Sequence, residues 1–378
     1  MEKIELSVVM PCLNEEAAVA SCIKKIKDTF AKNNIQGEII VADNGSTDRS
    51  VEIAKDLGAR LIIEHRRGYG AAYLAGLKEA KGKYILIADS DDTYDFRQIP
   101  RFLRKLDEGY DFVIGSRLKG RIKKQAMPFA NRYIGTPMLT LMLRIFFGSK
   151  VSDIMSGMRA FTQEAYHKMR LKTLGMEFAS EMIVAVMRAK LKIAEVNIDY
   201  YPRQGDSKLR PIPDAWRHIR FMLLYCPVWL YFIPGMLGLI LGLGLLLLLL
   251  KGPVLFLGHQ WDMHFIVFAS MLSILSYQIL NLGIYAHTYA IRQRLLRYDQ
   301  FTLFFQRHFT LERGILLGLG LFLIGFFINF LILGEWFFNN FGPLYRIRES
   351  IFAMTLLVIG LQTIFSSFFV SLMFLKKR

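Results

Sequence analysis

The chain is poor in cysteine: Cys12, Cys22 and Cys226 are the only three among 378 residues. Their spacing matches no CxxC pair and no zinc-ligand pattern, so a reducing compartment is the plain reading. No GxGxxG follows the first strand-like run, and GxxxxGK[ST] is missing throughout, which disfavours a dinucleotide redox enzyme and a P-loop NTPase. The opening MEKIELSVVM has no signal-peptide apolar region, so the first half is expected to stay in the cytoplasm. Zinc fingers, basic repeats and RNA-binding signatures are also missing, and the formal charge of +16 is therefore not read as nucleic-acid binding. Basic residues beside membrane segments meet anionic headgroups, and a basic cleft suits a phosphate-bearing substrate.

What the chain has in excess is apolar sequence. Hydrophobic residues make up 53% of it, concentrated after Tyr225. Four runs, at about 228–250, 265–291, 314–333 and 351–375, each reach about 20 residues or more. At about 1.5 Å per residue, that length crosses a ~30 Å hydrocarbon layer. Trp229, Tyr231, Trp261 and Trp336 fall near run ends, where amphipathic rings prefer to sit. The link between the second and third runs carries Arg292, Arg294, Arg297, Arg307 and Arg313, and the chain ends Lys376-Lys377-Arg378. The positive-inside rule then places the N-terminal half, this link and the C-terminus in the cytoplasm. Gln278, Asn281, Asn329 and Gln362, the polar residues noted within the runs, are not ionisable. They read as interhelical hydrogen-bonding groups and not as an ion path.

The first half alternates strand-like runs at 6–10, 39–42, 60–63, 84–88 and 112–114 with helical patterns at 15–30, 48–57, 71–80 and 98–107. This alternation predicts an α/β fold with a mainly parallel sheet, whose ligands bind at the carboxyl ends of the strands. Three such ends carry polar tips: Pro11-Cys12-Leu13-Asn14-Glu15, Asp43-Asn44-Gly45-Ser46-Thr47-Asp48 and Asp89-Ser90-Asp91-Asp92. Aspartates just past a strand offer hard oxygen ligands to a divalent cation and leave positions for phosphate oxygens. Asp89, Asp91 and Asp92 are accordingly expected to hold Mg2+ or Mn2+, since three acids at one tip repel one another without a cation. Arg66-Arg67-Gly68-Tyr69-Gly70 reads either as a turn with a helix start or as a backbone-and-arginine contact to a diphosphate.

Six motifs in order, PCLNEE, ADNGSTD, DSDD, GSR, SGMRAF and Arg203-Gln204-Gly205-Asp206-Ser207-Lys208, resemble the GT-A family 2 glycosyltransferases. Within that family the branch they resemble most is the polyprenyl-phosphate (dolichyl-phosphate) hexose transferases. The motifs cover roughly residues 4–210, and the trailing membrane helices match in kind. The resemblance implies a GT-A, Rossmann-like catalytic domain (1–210), a juxtamembrane amphipathic helix (211–227) and a membrane domain of four helices (228–378). Pro11, Leu13, Glu15 and Asp43 would line the nucleotide pocket, and Asp89 and Asp91 would contact metal and diphosphate. Arg117 would face the reacting phosphates and Arg203 would clamp a phosphate from a closing loop. Arg132 and Thr136 stand at the acceptor-phosphate positions. Asn44 departs from a frequent Asp, and Thr93 from a Gln that some relatives offer to the metal. QxxRW, used by processive synthases of the superfamily, is missing, which argues for a single transfer.

The implied reaction is an inverting displacement, in which an acceptor phosphate oxygen attacks the anomeric carbon of a nucleotide-diphosphate sugar. A phosphate monoester is already anionic at neutral pH and needs little help from a base. The site must instead supply positive charge and positioning. Asp153 is the spare carboxylate, to orient an arginine or to act as a base. Transfer to a glycerolipid or sphingolipid hydroxyl is the alternative, and an inactive membrane scaffold or flippase component stands behind it. Residues 129–147, broken by Asn131, Arg132, Pro137 and Arg144, read as an interfacial helix pair. Trp216, Ile219 and Leu223 share one face of a juxtamembrane helix, with Arg217 and Arg220 off it. Glu181 reads as an acid favouring a helix N-terminus. The expected partners are the nucleotide sugar, the lipid phosphate and membrane lipids, with no nucleic acid. A homo-oligomer stays open.

Overall fold

The structure, a computed structural model, describes residues 4–205, 211–226, 228–256, 258–292 and 310–374. The basic residues Arg294, Arg297, Arg307, Lys376, Lys377 and Arg378 and the motif residues Asp206-Ser207-Lys208 lie outside them. The chain divides into two compact units, Met1–Met222 and Leu223–Arg378. The division falls inside the expected 211–227 linking segment.

In the first unit the elements run β1 (Leu6–Cys12), α1 (Val19–Asn33), β2 (Gly37–Asp43), α2 (Ser50–Asp56), β3 (Arg60–Ile63), α3 (Tyr69–Glu79) and β4 (Tyr84–Ile87). There follow α4 (Ile99–Asp107), β5 (Phe112–Ser116), α5 (Thr136–Phe147), β6 (Arg159–Thr162), α6 (Gln163–Met169), α7 (Phe178–Arg188), β7 (Ile193–Asn197) and α8 (Pro211–Tyr225). The sheet order is β3-β2-β1-β4-β6-β5-β7. All pairings are parallel except those of β6, which runs antiparallel between β4 and β5. β1, β2 and β4 are buried on both faces, as crossover helices require, and so read as nearly unbroken apolar runs. Helix α1 turns Val19, Cys22, Ile23 and Ile26 into the core at helical spacing and ends on Asn34 in the left-handed region.

Two strands escaped the sequence reading. β6 is the four-residue RAFT, and β7 (IAEVN) is interrupted by a glutamate. Residues 129–147 form one continuous helix, not a pair: a π-turn at Asn131–Gly135 runs directly into α5. Pro137 lies inside this helix just after the π-turn, where its missing N–H withdraws one bond from the ladder. Phe129, Tyr133, Ile134, Met138, Leu141 and Ile145 are exposed along it. On α8 the buried residues are His218, Phe221 and Met222, while Trp216 is 57% exposed. The Trp216 side is thus left open, as a juxtamembrane helix requires, while His218 turns inward to meet Ser180 of α7 at 2.8 Å.

Among the described residues, the second unit holds four helices long and apolar enough to cross a membrane: Trp229–Leu250, Met263–Arg292, Leu311–Phe338 and Ile347–Phe374. The first comprises a π-turn followed by α9 (Ile233–Leu250), and the others are α10 (Met263–Arg292), α11 (Leu311–Phe338) and α12 (Ile347–Phe374). A small antiparallel hairpin, β8 (Val254–Phe256) with β9 (His259–Trp261), links the first two. Glycines allow close approach: a side chain at Gly318 would meet the Gly360 carbonyl at 2.7 Å. Hydroxyl pairs join α10 to α12, Ser270 with Thr355 (2.7 Å), Tyr277 with Thr363 (2.6 Å) and Tyr285 with Ser366 (2.7 Å). His287, an ionisable residue that the sequence reading passed over, is buried on α10.

Candidate active site

Because β2, β1 and β4 are adjacent and parallel, their carboxyl ends bring the three polar tips to one edge. Ser90 Oγ donates to the Pro11 carbonyl (2.6 Å), tying the β4 tip to the β1 tip, and Pro11 and Leu13 stay partly exposed there. Asp43, buried, accepts from the Gly45 (2.9 Å) and Ser46 (3.2 Å) amides and so shapes its own turn. Asn44 donates its amide to the carbonyls of Glu64 (3.0 Å) and Arg66 (2.8 Å) and accepts from the Gly68 amide (2.7 Å). A carboxylate has no donor for those two carbonyls. The Asn in place of a frequent Asp therefore has a structural reason.

The three aspartates of the β4 tip do not converge. Asp92, in the left-handed region at φ 64°, turns its carboxylate to Lys25 Nζ (2.6 Å), Ser21 Oγ (3.0 Å) and Gln204 Nε2 (2.9 Å). Lys25 stands on helix α1 and holds Asp92 there, whereas the Arg203 that pairs with Asp91 stands on a loop. Among the described residues no group of three His, Cys, Asp or Glu is ready to hold a metal. Two acids remain. Asp91 accepts from Thr93 Oγ1 (2.5 Å) and pairs with Arg203 (3.0 Å), whose guanidinium also reaches Glu15. Asp89 accepts from the Tyr69 (2.9 Å) and Tyr73 (3.2 Å) hydroxyls, both on Oδ1. Burial and the neighbouring Asp91 carboxylate raise Asp89 to about 6, although the two tyrosine bonds pull the other way. Beside its second oxygen lies Gly157, where a Cβ would sit 2.6 Å from Asp89 Oδ2. The glycine thus lets that oxygen approach the 157 backbone closely, which a side chain there would prevent. Two mutually repelling hard-oxygen donors, Asp89 and Asp91, fit a divalent cation that takes its remaining ligands from phosphate and water.

On the far side of β4, Arg117 and Asp153 form a buried pair. The Arg117 guanidinium gives Nε to Asp153 Oδ2 (2.7 Å) and Nη2 to Oδ1 (2.8 Å), and its backbone amide adds a third bond (3.0 Å). Asp153 is 0% and Arg117 7% exposed. Burial opposes the arginine's charge, but Asp153 more than offsets this and holds its pKa well above the usual value. The guanidinium also lies 5.1 Å from the Tyr200 ring centroid. Both oxygens of Asp153 are thus engaged by Arg117, and the carboxylate has no solvent access. Arg132 and Thr136 sit apart, on the helix around α5: Arg132 stacks on Tyr133 (5.2 Å) and Thr136 is buried. Among the described residues no hydrogen bond or ion pair ties either to the carboxylates.

Sequence reasoning missed several members. Arg159, 1% exposed, gives its guanidinium to the carbonyls of Ile154 (2.8 Å), Ser156 (2.9 Å) and Ala179 (2.7 Å), fixing the loop that carries Asp153. The buried Tyr94 hydroxyl accepts from the Gly157 amide (2.6 Å). Glu181 is no helix-end acid alone: it accepts from the Lys172 (3.0 Å) and Thr173 (2.9 Å) amides. The one local signal for Tyr69 and Tyr73 was their i, i+4 spacing directly after Gly68.

Residues 7–170 match Glycosyl transferase family 2, and residues 284–374 match the Glycosyltransferase family 2 C-terminal transmembrane region. The Low-salt glycan biosynthesis hexosyltransferase Agl6 of Haloferax volcanii is 38% identical over 364 residues, covering 96% of this chain and 87% of that protein. The chain belongs to glycosyltransferase family 2. Family 2 membership accounts for both units, since each carries its own match. A Dolichyl-phosphate hexose transferase of the same organism is 35% identical over 208 residues, 55% of this chain and 87% of that protein. Among solved structures, glucosyl-3-phosphoglycerate synthase from Mycobacterium tuberculosis aligns over 59% of this chain and 80% of its own, at 26% identity and a TM-score of 0.47. As a family 2 enzyme, the chain has the GT-A, mostly parallel sheet followed by four apolar helices.

Proposed function

We propose that this glycosyltransferase moves a hexose, with inversion, from a nucleotide-diphosphate sugar to polyprenyl or dolichyl phosphate at the cytoplasmic face of the membrane. An acceptor phosphate oxygen forms the new bond to the anomeric carbon. The bond from that carbon to the diphosphate breaks, and its electron pair leaves with the nucleotide. The single observation that carries the acceptor choice is the sealed Arg117–Asp153 pair. A hydroxyl acceptor calls for a general base on this side, and Asp153 is spent on the arginine. An anionic acceptor needs no base and calls for positive charge, which the cation at Asp89 and Asp91 would supply together with Arg203 once it turns from Asp91 and Glu15 to the phosphates. The printed names of the two Haloferax relatives, a hexosyltransferase and a dolichyl-phosphate hexose transferase, support the same reading.

Asp91 and Asp89 would hold Mg2+ or Mn2+, which when bound neutralises charge gathering on the departing diphosphate. Glu15, Asp43, Pro11 and Leu13 would border the nucleotide. Arg203, now between Asp91 and Glu15, is within reach of any diphosphate bound there. The exposed apolar face of the 129–147 helix, preceded by Lys119, Arg121, Lys123 and Lys124, suits an anionic membrane surface. Arg132 and Thr136 on that helix would meet the lipid phosphate as it leaves the bilayer. The test offers purified protein a panel of UDP- and GDP-hexoses with a polyprenyl phosphate and Mg2+ or Mn2+, reading lipid products by mass spectrometry. One donor should yield a hexosyl-phosphate lipid that Asp91→Asn does not make; an Asp91→Asn enzyme as active as the parent would remove the site assignment.

A further inference from the structure

The segment Gly68-Tyr69-Gly70 finds no phosphate in the arrangement above, and its contacts point to a different task. Gly68, at φ 145°, and Gly70 lie against the 173–174 backbone. A Cβ on Gly68 would stand 2.1 Å from the Leu174 carbonyl oxygen, and one on Gly70 2.2 Å from that of Thr173. The Ala71 amide donates to the Leu174 carbonyl (3.1 Å), so the first turn of α3 is capped by protein and not held open for an anion. Arg66 is engaged with Glu64 (2.8 Å), and Arg67 with the Asn44 carbonyl (2.8 Å). Glu181 fixes the capping loop from below through the Lys172 and Thr173 amides and the Thr173 hydroxyl (2.7 Å).

This pinning sets the rotation of α3. Residues four apart share a helix face, so Tyr69 and Tyr73 point the same way. Their rings meet edge to face at 4.9 Å, and Tyr73 stacks on Phe178 at 5.4 Å. Both hydroxyls converge on Asp89 Oδ1, which leaves Oδ2, on the Gly157 side, outside those two bonds. A carboxylate held by two donors on one oxygen cannot rotate about its terminal bond without losing both.

We infer that Tyr69 and Tyr73 are positioning residues that aim the free oxygen of Asp89 at the divalent cation of the donor site, with the two flanking glycines and Glu181 fixing the helix that carries them. The inference rests on the proposed donor site and adds to it a pair of outer groups that set metal affinity. Groups that orient a metal ligand typically govern affinity by ~10–100-fold.

The test titrates Mn2+ into the full-length, detergent-solubilised protein with saturating UDP, and separately GDP, reading free Mn2+ by electron paramagnetic resonance. The Tyr69→Phe/Tyr73→Phe double variant keeps both rings and should weaken Mn2+ binding by ~10-fold or more. Each single variant should fall between, and Gly70→Ala, which displaces α3 from its cap, should weaken binding in the same direction. Nucleotide affinity in EDTA and the thermal midpoint of the double variant should stay near the parent's. A double variant that melts earlier but binds Mn2+ as the parent does would overturn the inference, since the hydroxyls would then only satisfy a buried acid. A parent protein that takes up no Mn2+ with either nucleotide would overturn the donor-site reading itself.

Discussion

The candidate site of the first unit and the α10–α12 seam of the second satisfy their buried polar groups differently. In the first unit the partners are charged and lie far apart in sequence: Lys25 with Asp92, Arg117 with Asp153, Arg203 with Asp91. In the second, the α10–α12 seam is held by neutral hydroxyl pairs one helix face apart. A charge removed from water demands a counter-charge, and the surplus left over after pairing is where an ionic substrate can act. Neutral pairs leave no such surplus. The same rule of polar satisfaction therefore makes a reaction site in one unit and an adhesive in the other.

That contrast can be broken at graded cost. The largest effect is expected from Asp153→Asn, which strands the Arg117 charge in the interior. Breaking a buried pair in this way costs about 3–5 kcal/mol, readable as a lowered unfolding midpoint of the catalytic unit. Unchanged stability would mean that water reaches the pair. Asp91→Asn should leave folding nearly intact while metal-dependent turnover falls ~1,000-fold, the several kcal/mol that a metal contributes to a developing anion. Initial-rate measurements over a Mg2+ series would check it.

A smaller effect concerns His218, 1% exposed and lowered to about 4 chiefly by burial. Its folded value lies below the ordinary 6.5, so the unfolded chain takes the proton first. The stability it allows is complete above pH 6.5 and is lost as pH falls toward 4, on the order of 3 kcal/mol. Melting curves of the parent between those pH values should slope more steeply than those of His218→Gln; parallel slopes would contradict the assignment. Last, Ser270→Ala or Tyr277→Phe in the membrane unit should cost only about 0.6 kcal/mol, and activity should be untouched. A strong activity loss there would erase the distinction between the units.

The parts legible in the sequence were those set by short-range pattern. Apolar strands ending in acid-rich tips gave the sheet edge, because parallel strands are buried on both faces and must place ligands at their ends. Long apolar runs located the membrane helices to within a few residues. Pairings across distance were not legible. Nothing near Asp92 announces Lys25, 67 residues earlier, so three neighbouring acids looked like one ligand set. Arg159 reads as one more surface cation until three carbonyls enclose it. β6 was missed because RAFT is not an apolar run, unlike RLII of β3 and YILI of β4, which are equally short. The inward turn of His218 on α8 was not legible because its partner Ser180 lies 38 residues away.

The central claim is that positive charge, with no available base, selects a phosphate acceptor. The direct measurement supplies the enzyme and its working nucleotide sugar with vesicles containing equal amounts of a polyprenyl phosphate, a diacylglycerol and a ceramide, and weighs the lipid products. Hexose carried solely on the polyprenyl phosphate is the predicted result. Hexose attached to the diacylglycerol or the ceramide would contradict it.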